Sequence, residues 1–354
     1  MIPFPARAAA SAVAAALLVA ACSAQSTSTG QSASTVRATG AVPPPRAPAA
    51  RYQLGIDLDF YWHPDQNVPE LVTQEAAYAR GLGANAVMIS FPVYTGSATA
   101  ATGVNTPSPA TLAAAVRAVR ARGLTAGVRP LLSEANLGES RVRFVPPSVA
   151  GWLASYQRVI LPYAQAAQQA GASFFYTGAE LSAFARAPQW QQVTAAVRAV
   201  FKGQLYFSAN WNGPGTMPAF SGSGGPGVSV AADAYPVSSA SPGQFGPWWA
   251  AEASELPRGT VLAEAGIAAQ AGMQQHPWDL GAPSQPLDPQ LQAAWFTAAC
   301  RAVKTDHLGG IYFWSIYVSQ PLDVPPTPAT AMQFTDSPGA SAIRACFTAL
   351  GGSR

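Results

Sequence analysis

Two glutamates, Glu180 and Glu264, are the residues of this 354-residue sequence whose chemistry stands out. Each follows a short apolar run, where a strand is expected to end. A pair of carboxyl groups can cleave a glycosidic bond, because one protonates the leaving oxygen while the other attacks the anomeric carbon. Cleavage with retention needs the two groups about 5–5.5 Å apart. The pKa of the acid must then be raised by an apolar setting or a neighbouring carboxylate, and donors such as Tyr235 or Arg129 must keep the nucleophile ionised.

Polar and aromatic side chains also stand at the ends of the other expected strands. A ring such as Trp314 can form a floor for a sugar, although core packing is the alternative for Trp314, Trp62 and Trp211 alike. Asp57 and Asp59 share one face of the first strand, where a sugar hydroxyl and a buried ion pair with Arg129 are both open as partners. The candidates for substrate binding are Asp59, Trp62, Arg129, Asn210, Trp211, Tyr235 and Trp314.

These residues need a scaffold, and short apolar runs alternating with segments of helical period predict repeated βα units after Arg51. The predicted strands are Gln53–Phe60, Ala84–Phe91, Thr125–Leu132, Ser173–Thr177, Gln204–Ala209, Val228–Tyr235, Thr260–Ala263 and Gly309–Trp314. The predicted helices are Pro69–Leu82, Pro109–Arg122, Pro147–Ala170, Pro188–Phe201, Gln244–Leu256 and Pro289–Thr305.

Eight strands with crossovers are compatible with an open doubly wound sheet or with a closed barrel. No glycine-rich phosphate fingerprint follows the first strand, which favours the barrel. We therefore predict a (β/α)8 TIM barrel as a single catalytic domain over residues 51–350. Its chemistry is expected at the C-terminal ends of the strands, and Glu180 and Glu264 follow the fourth and the seventh.

The N-terminal residues have the pattern of an export signal. Arg7 precedes an apolar run that ends at Cys22, and Leu18 to Cys22 resembles a bacterial lipobox. This predicts a lipoprotein signal peptide over residues 1–21, a lipidated Cys22 and a Ser/Thr/Pro-rich tether over residues 22–50. The protein would then be an exported lipoprotein at the cell surface or in the periplasm, bound to the membrane only through its anchor. A plain signal peptide is the alternative.

Composition excludes some classes of function. A net charge of +3 and scattered basic residues give no indication of nucleic-acid binding, and we expect a monomer. His63, His276 and His307 form no short ligand-spaced pair, so neither a metal nor a cofactor is expected. Cys300 and Cys346 remain after Cys22, and both a disulfide between them and two free buried thiols are compatible with the sequence.

The sequence resembles the retaining barrel glycoside hydrolases whose catalytic glutamates follow strands four and seven, and within them family 113, which are mostly β-mannanases. The resemblance covers residues 52 to 317. Its segments are Thr106–Leu112, Gly123–Pro130, Tyr176–Leu181, Trp190–Trp211, Asp233–Pro236, Glu264–Ile267 and Gly310–Trp314.

The resemblance implies roles for individual residues. Glu180 would be the acid/base, Glu264 the nucleophile, Tyr235 a partner of the nucleophile and Trp314 the sugar platform. Two positions depart from the family pattern. Ala179 stands where the family often has Thr or Asn, and Gly266-Ile267 replaces the usual Gly-Tyr, which would remove a polar aromatic from the pocket rim.

The implied function is retaining hydrolysis of a β-linked glycan by double displacement, with β-1,4-mannan as the first candidate substrate. The same mechanism on a glucan, a xylan or an amino-sugar polymer is the alternative within enzymes. A non-catalytic, carbohydrate-binding lipoprotein is the alternative from another class, although both glutamates are present.

Overall fold

Eight parallel strands form a closed barrel in the computed structural model, which describes residues 52–60, 66–213 and 222–352. The strands are β1 (Gln53–Asp59), β2 (Ala86–Thr95), β3 (Thr125–Leu132), β4 (Phe174–Ala179), β5 (Gln204–Trp211), β6 (Ser229–Ala234), β7 (Val261–Ala265) and β8 (Gly310–Tyr317). β1 pairs with both β2 and β8, which closes the ring. The predicted TIM barrel is therefore confirmed.

Five strands, β2, β4, β5, β7 and β8, end later in the chain than the sequence predicts. β2 ends at Thr95 rather than at Phe91, and its end pairs with an additional antiparallel strand, Ala100–Ala101. β5 ends at Trp211 rather than at Ala209. Asn210 and Trp211 therefore belong to a strand and not to the loop after it, which decides where their side chains point.

The helices surround the barrel. They are α1 (Val68–Gly81), α2 (Pro109–Ala121), α3 (Val149–Ala170), α4 (Trp190–Val200), α5 (Phe245–Ala253), α6 (Pro289–Thr305) and α7 (Pro338–Ala349). Ser108 and Asp288 cap α2 and α6, because each side chain accepts a hydrogen bond from an amide of the first turn. The sequence prediction lacks α7, which packs beside α6.

Aromatic rings fill the interior of the barrel. Phe174 and Tyr312 belong to a buried cluster with Met88, Tyr176 and small residues of β6 and β7. A Cβ atom on Gly55 would lie 2.0 Å from the Tyr312 ring, and one on Gly127 would lie 1.6 Å from the Phe174 ring. Glycine is required at these two positions because the rings occupy the space of a side chain. The interior is thus a packed core, and the polar chemistry is confined to the mouth.

A disulfide joins the last two helices of the chain. The sulfur atoms of Cys300 on α6 and Cys346 on α7 are bonded, with 5.7 Å between the Cα atoms and 46 residues of sequence separation. Of the two alternatives compatible with the sequence, the structure contains the bridge. Closing a loop of this length in the unfolded chain is worth about 4 kcal/mol of stability in the chain-entropy account.

The predicted signal peptide, the tether, Cys22, Trp62 and His63 lie outside the described residues. Among the helices that are described, none combines the length and the apolar character needed to cross a bilayer.

Candidate active site

Glu180 and Glu264 reach the mouth of the barrel from opposite arcs of the ring of strands. Glu264 is the fourth residue of the five-residue strand β7, and Glu180 follows the last residue of β4. The Glu180 amide donates a hydrogen bond of 2.9 Å to the carbonyl of Ser208 on β5. Glu180 also has a φ of 54°, a left-handed conformation that is uncommon for a residue with a side chain and concentrates at functional sites.

Both carboxylates line one cavity of about 370 Å³. Glu180 is 6% exposed and Glu264 3% exposed, so each meets the cavity from an almost buried position. The other lining residues described are Glu134, Ser140, Arg141, Val142, Arg143, Asn210, Asn212, Tyr235, Trp278, Leu280, Trp314 and Met332. A pocket of this size, with two convergent carboxyl groups and aromatic walls, suits one or a few sugar units.

Glu264 accepts hydrogen bonds on both of its carboxylate oxygens. The Tyr235 hydroxyl donates to Oε2 at 2.5 Å, and the Arg129 guanidinium donates to Oε1 in a close ion pair. Both donors favour the ionised carboxylate and fix its orientation. The predicted partnership of Tyr235 with Glu264 is therefore present in the structure.

Arg129 is completely buried and is held by four side chains at once. Its Nη1 lies 3.0 Å from Asp233, its Nη2 lies 2.8 Å from Asp57, and its Nε donates to Ser90 at 2.9 Å. One guanidinium cannot balance three ionised carboxylates. Burial raises the pKa of both Asp57 and Asp233 and so favours their neutral forms, which leaves the charge of Arg129 available to Glu264.

Glu180 also has a donor on each oxygen. Arg141 Nε donates to Oε2 at 2.8 Å, and Asn210 Nδ2 donates to Oε1 at 2.8 Å. Asn210 comes from β5, whereas Arg141 comes from the segment between β3 and α3. The two glutamates of the pocket are thus equipped alike, each with one arginine and one neutral donor.

The directions of the two pKa shifts are opposite to the sequence-based expectation. Burial alone would raise the pKa of Glu180, but the charge of Arg141 and the donated hydrogen bonds outweigh it and hold that pKa below its usual range. Burial raises the pKa of Glu264, Arg129 opposes the rise, and the charge of Glu180 adds to it. The expected raised pKa of the acid is therefore wrong, because Arg141 was not part of that expectation.

Two of the predicted sugar-binding residues lie elsewhere. Trp211 is 0% exposed and packs edge-on against Trp249 in the layer between strands and helices, so the predicted sugar contact is wrong. Arg129 is just as buried, and its partners are carboxylates and Ser90 rather than the cavity. The alternation of side chains along β5 explains why Trp211 points away from the pocket, since its neighbour Asn210 lies on the inward face.

Of two other predicted sugar-binding residues, Trp314 lines the cavity and Asp59 is not among the described lining residues. Trp314 lines the cavity at 7% exposure, and the Arg129 guanidinium carbon lies 5.5 Å from the centre of its ring, within the range of a cation–π contact. Asp59 is buried, is not among the described lining residues, and does not make the ion pair with Arg129, which Asp57 makes instead. Burial raises the pKa of Asp59 to about 8, and Glu264 adds to the rise.

Several lining residues were missed by sequence reasoning. Arg141 and Glu134 lie between β3 and α3, and Trp278 and Leu280 lie between β7 and α6. Trp278 is 44% exposed, which is unusual for a tryptophan. The available signal was the length of these two connections, since the longest βα loops of a barrel most often shape its pocket.

A larger cavity does not contain the catalytic candidates. Its volume is about 720 Å³, and it lies between α1, the segment after β8 and α7. Glu75 is the buried carboxylate among its described lining residues, and burial raises the pKa of Glu75 to about 8. Size alone therefore does not identify the active site.

No group of three or more His, Cys, Asp or Glu side chains in residues 52–60, 66–213 and 222–352 is arranged to hold a metal ion.

Comparison with known proteins identifies the family. The sequence model of Glycoside Hydrolase Family 113 matches residues 83–321, which is more than half of the chain and includes Glu180 and Glu264. The chain belongs to glycoside hydrolase family 113. It is therefore a glycoside hydrolase, and the resemblance found in the sequence is confirmed. Among curated protein sequences no match is found.

Solved structures of family 113 share the fold. The β-mannanase AaManA from Alicyclobacillus acidocaldarius, in complex with ManMIm, is 16% identical to this family 113 chain. The match has a TM-score of 0.68 and covers 85% of this chain and 98% of the other. A second GH113 β-1,4-mannanase is 14% identical, with a TM-score of 0.68 and 84% and 99% of the two chains covered.

A more distant match is a GH5-4 broad-specificity endoglucanase from an uncultured bacterium, 10% identical, with a TM-score of 0.52 and 85% and 95% coverage. At these identities the likeness concerns the fold.

Proposed function

We propose that this chain hydrolyses β-1,4-mannan by double displacement with retention, with Glu264 as nucleophile and Glu180 as acid/base. The observation that carries the proposal is that both glutamates line one pocket while Arg129 and Tyr235 hold Glu264 as an oriented carboxylate. Family membership and the mannanases among the similar structures support the choice of glycan.

In the first step, an oxygen of Glu264 forms a bond to the anomeric carbon as the glycosidic bond breaks, and the proton of Glu180 passes to the leaving oxygen. In the second step, Glu180 takes a proton from water, the water oxygen bonds to the anomeric carbon, and the bond to Glu264 breaks. Trp314 provides the surface on which the sugar at the cleavage point rests.

The exposed ring of Trp278 supports a polymer rather than a single sugar as the substrate. Trp278 lines the pocket together with Trp314, so the two aromatic surfaces can each take one part of a chain.

The two departures from the family pattern bear on the substrate in different ways. Ala179 is buried in a small cluster with Leu131, Trp314 and Met332, so an apolar contact replaces a polar one directly behind the platform. Ile267 is 0% exposed and belongs to the main core, so it cannot define the pocket rim. Specificity for mannan would then depend on Trp314 and the loops rather than on a polar residue before Glu180.

We also propose that residues 1–21 direct export, that Cys22 carries a lipid and that residues 22–50 hold the barrel clear of the membrane. An anchored enzyme of this kind would meet glycans outside the cytoplasm. The Cys300–Cys346 disulfide supports an oxidising compartment.

Release of reducing ends from a panel of polysaccharides tests the substrate. We expect the highest rate on β-1,4-mannan or glucomannan, and lower rates on β-glucan, xylan and chitin. The matched control is Glu264→Gln assayed on the same panel. A higher rate on another β-glycan would replace mannan as the substrate. Binding of glycans without release of reducing ends from any of them would favour the carbohydrate-binding alternative.

A further inference from the structure

Arg141 makes the closest charged contact with Glu180, and its geometry bears on the proton that the carboxyl must carry. The contact joins Arg141 Nε to Oε2 at 2.8 Å, while Asn210 occupies Oε1. A protonated carboxyl is itself a donor and needs an acceptor. Neither oxygen of Glu180 faces an acceptor among these two partners, so both partners favour the carboxylate.

The two halves of the proposed reaction need opposite forms of Glu180. The carboxylate is the base that accepts a proton from water in the second step, whereas the first step needs the neutral acid. Arg141 and Asn210 donate to the carboxylate and therefore favour the form of Glu180 that the second step needs. The first step requires the charge of Arg141 to act less strongly on Glu180, because an opposite charge at this distance favours the carboxylate over the neutral acid.

Of the two donors to Glu180, Arg141 is the one that does not belong to a barrel strand. Asn210 is part of a barrel strand, but Arg141 lies in a connection, and its side chain is 19% exposed to the pocket. A second carboxylate stands ready for it, because Arg141 Nε lies 3.9 Å from Oε1 of Glu134, which is 42% exposed. The Arg141 amide donates to that same oxygen at 2.7 Å, and Nη1 donates to the Leu132 carbonyl at 2.7 Å. The backbone of Arg141 is therefore held beside Glu134 independently of the contact with Glu180.

We propose that Arg141 is a positioning residue that favours the carboxylate form of Glu180 in the free enzyme and turns towards Glu134 when the leaving sugar enters the pocket. The arrangement couples protonation of the acid to occupancy by substrate. This inference rests on the proposed role of Glu180 as acid/base.

Other titratable groups interact with Glu180 besides Arg141. They are Arg129 on β3, Asp233 on β6, Tyr235 directly after β6 and Glu264 on β7. Glu134 and Arg143, in the connection after β3, line the same pocket, and Glu134 contacts Arg141.

Titration of the Glu180 carboxyl carbon by NMR tests the proposal without relying on turnover. In protein labelled at the glutamate carboxyl carbon, the Glu180 signal is the one lost in Glu180→Gln. An opposite charge at this distance lowers the pKa of a carboxyl by about 1–3 units. We therefore expect the midpoint to rise by about that much in Arg141→Gln, to stay near the wild-type value in Arg141→Lys, and to fall in Glu134→Gln.

The matched control is Arg117→Gln, which removes an exposed arginine from α2 and is expected to leave the midpoint unchanged. The alkaline limb of kcat/KM on mannan oligosaccharides should move in parallel with the midpoint, because that limb reports the acid of the free enzyme. An unchanged midpoint in Arg141→Gln would overturn the proposal. A shifted midpoint without glycan turnover in any variant would instead overturn the role of Glu180 as acid/base.

Discussion

Glu264→Gln is expected to abolish turnover, with a loss of about 10⁵–10⁶-fold in kcat, as for other catalytic residues that act as a unit. The neutral amide of glutamine is a far weaker nucleophile than the carboxylate that forms the covalent bond to the anomeric carbon in the first step. The substitution keeps the shape of the side chain, and Asp57 and Asp233 still hold Arg129, so the fold should persist. Initial rates on mannan and the melting temperature, measured together, check both expectations.

The control for Glu264→Gln is Glu70→Gln, which makes the same chemical change at an exposed position on α1. It should retain wild-type activity. Residual activity of Glu264→Gln within about tenfold of the wild type, in a preparation free of other hydrolases, would exclude Glu264 as the nucleophile.

Glu180→Ala is expected to slow hydrolysis of mannan by about 10²–10⁴-fold, the usual contribution of a general acid. The loss should be far smaller for aryl mannosides, because a phenolate of low pKa leaves without a proton. The measurement is the ratio of kcat/KM for the two substrate types in wild type and variant. Removal of Glu180 also removes one partner of Arg141, so the variant should be assayed across pH rather than at one value.

Azide gives a second readout for Glu180→Ala. A small anion can enter the space left by the carboxylate and attack the glycosyl-enzyme without base assistance. We expect a rate increase with aryl mannosides and a β-glycosyl azide as the product. An equal loss on both substrate types, with no azide effect, would contradict the role of Glu180.

The barrel and the two glutamates could be predicted because they depend on local patterns. Apolar runs of strand length are bounded by helix starts at Pro and by turns at Gly, and both features act within a few residues. Glu180 and Glu264 stand directly at strand ends, so their placement at the mouth follows from the topology of the fold.

The side of the strand on which a residue lies was harder to predict than the strand itself. Asn210 and Trp211 are neighbours in β5, so they cannot both face the pocket. Both were candidates for sugar binding because the predicted strand ended before them. Because β5 is two residues longer than predicted, Asn210 faces the pocket and donates to Glu180, whereas Trp211 faces the opposite way and belongs to the core.

The pairing of Arg141 with Glu180 could not be predicted, because it depends on how a long connection folds over the mouth. The two residues are far apart in the sequence, and no strand fixes Arg141 relative to β4. The pKa of a carboxyl depends on its nearest charges, so the missing arginine reversed the expected direction for Glu180. By contrast, Arg129 lies within a strand, and its contact with Glu264 was among the predicted alternatives.

The configuration of the first-formed product tests the central proposal most directly. Hydrolysis of a mannan oligosaccharide by the wild-type enzyme is followed by proton NMR at the anomeric position, at an enzyme concentration high enough to outrun mutarotation. Double displacement through Glu264 predicts that the β-anomer forms first and the α-anomer grows in later. An α-anomer as the first product would contradict the account, because it requires a single displacement by water.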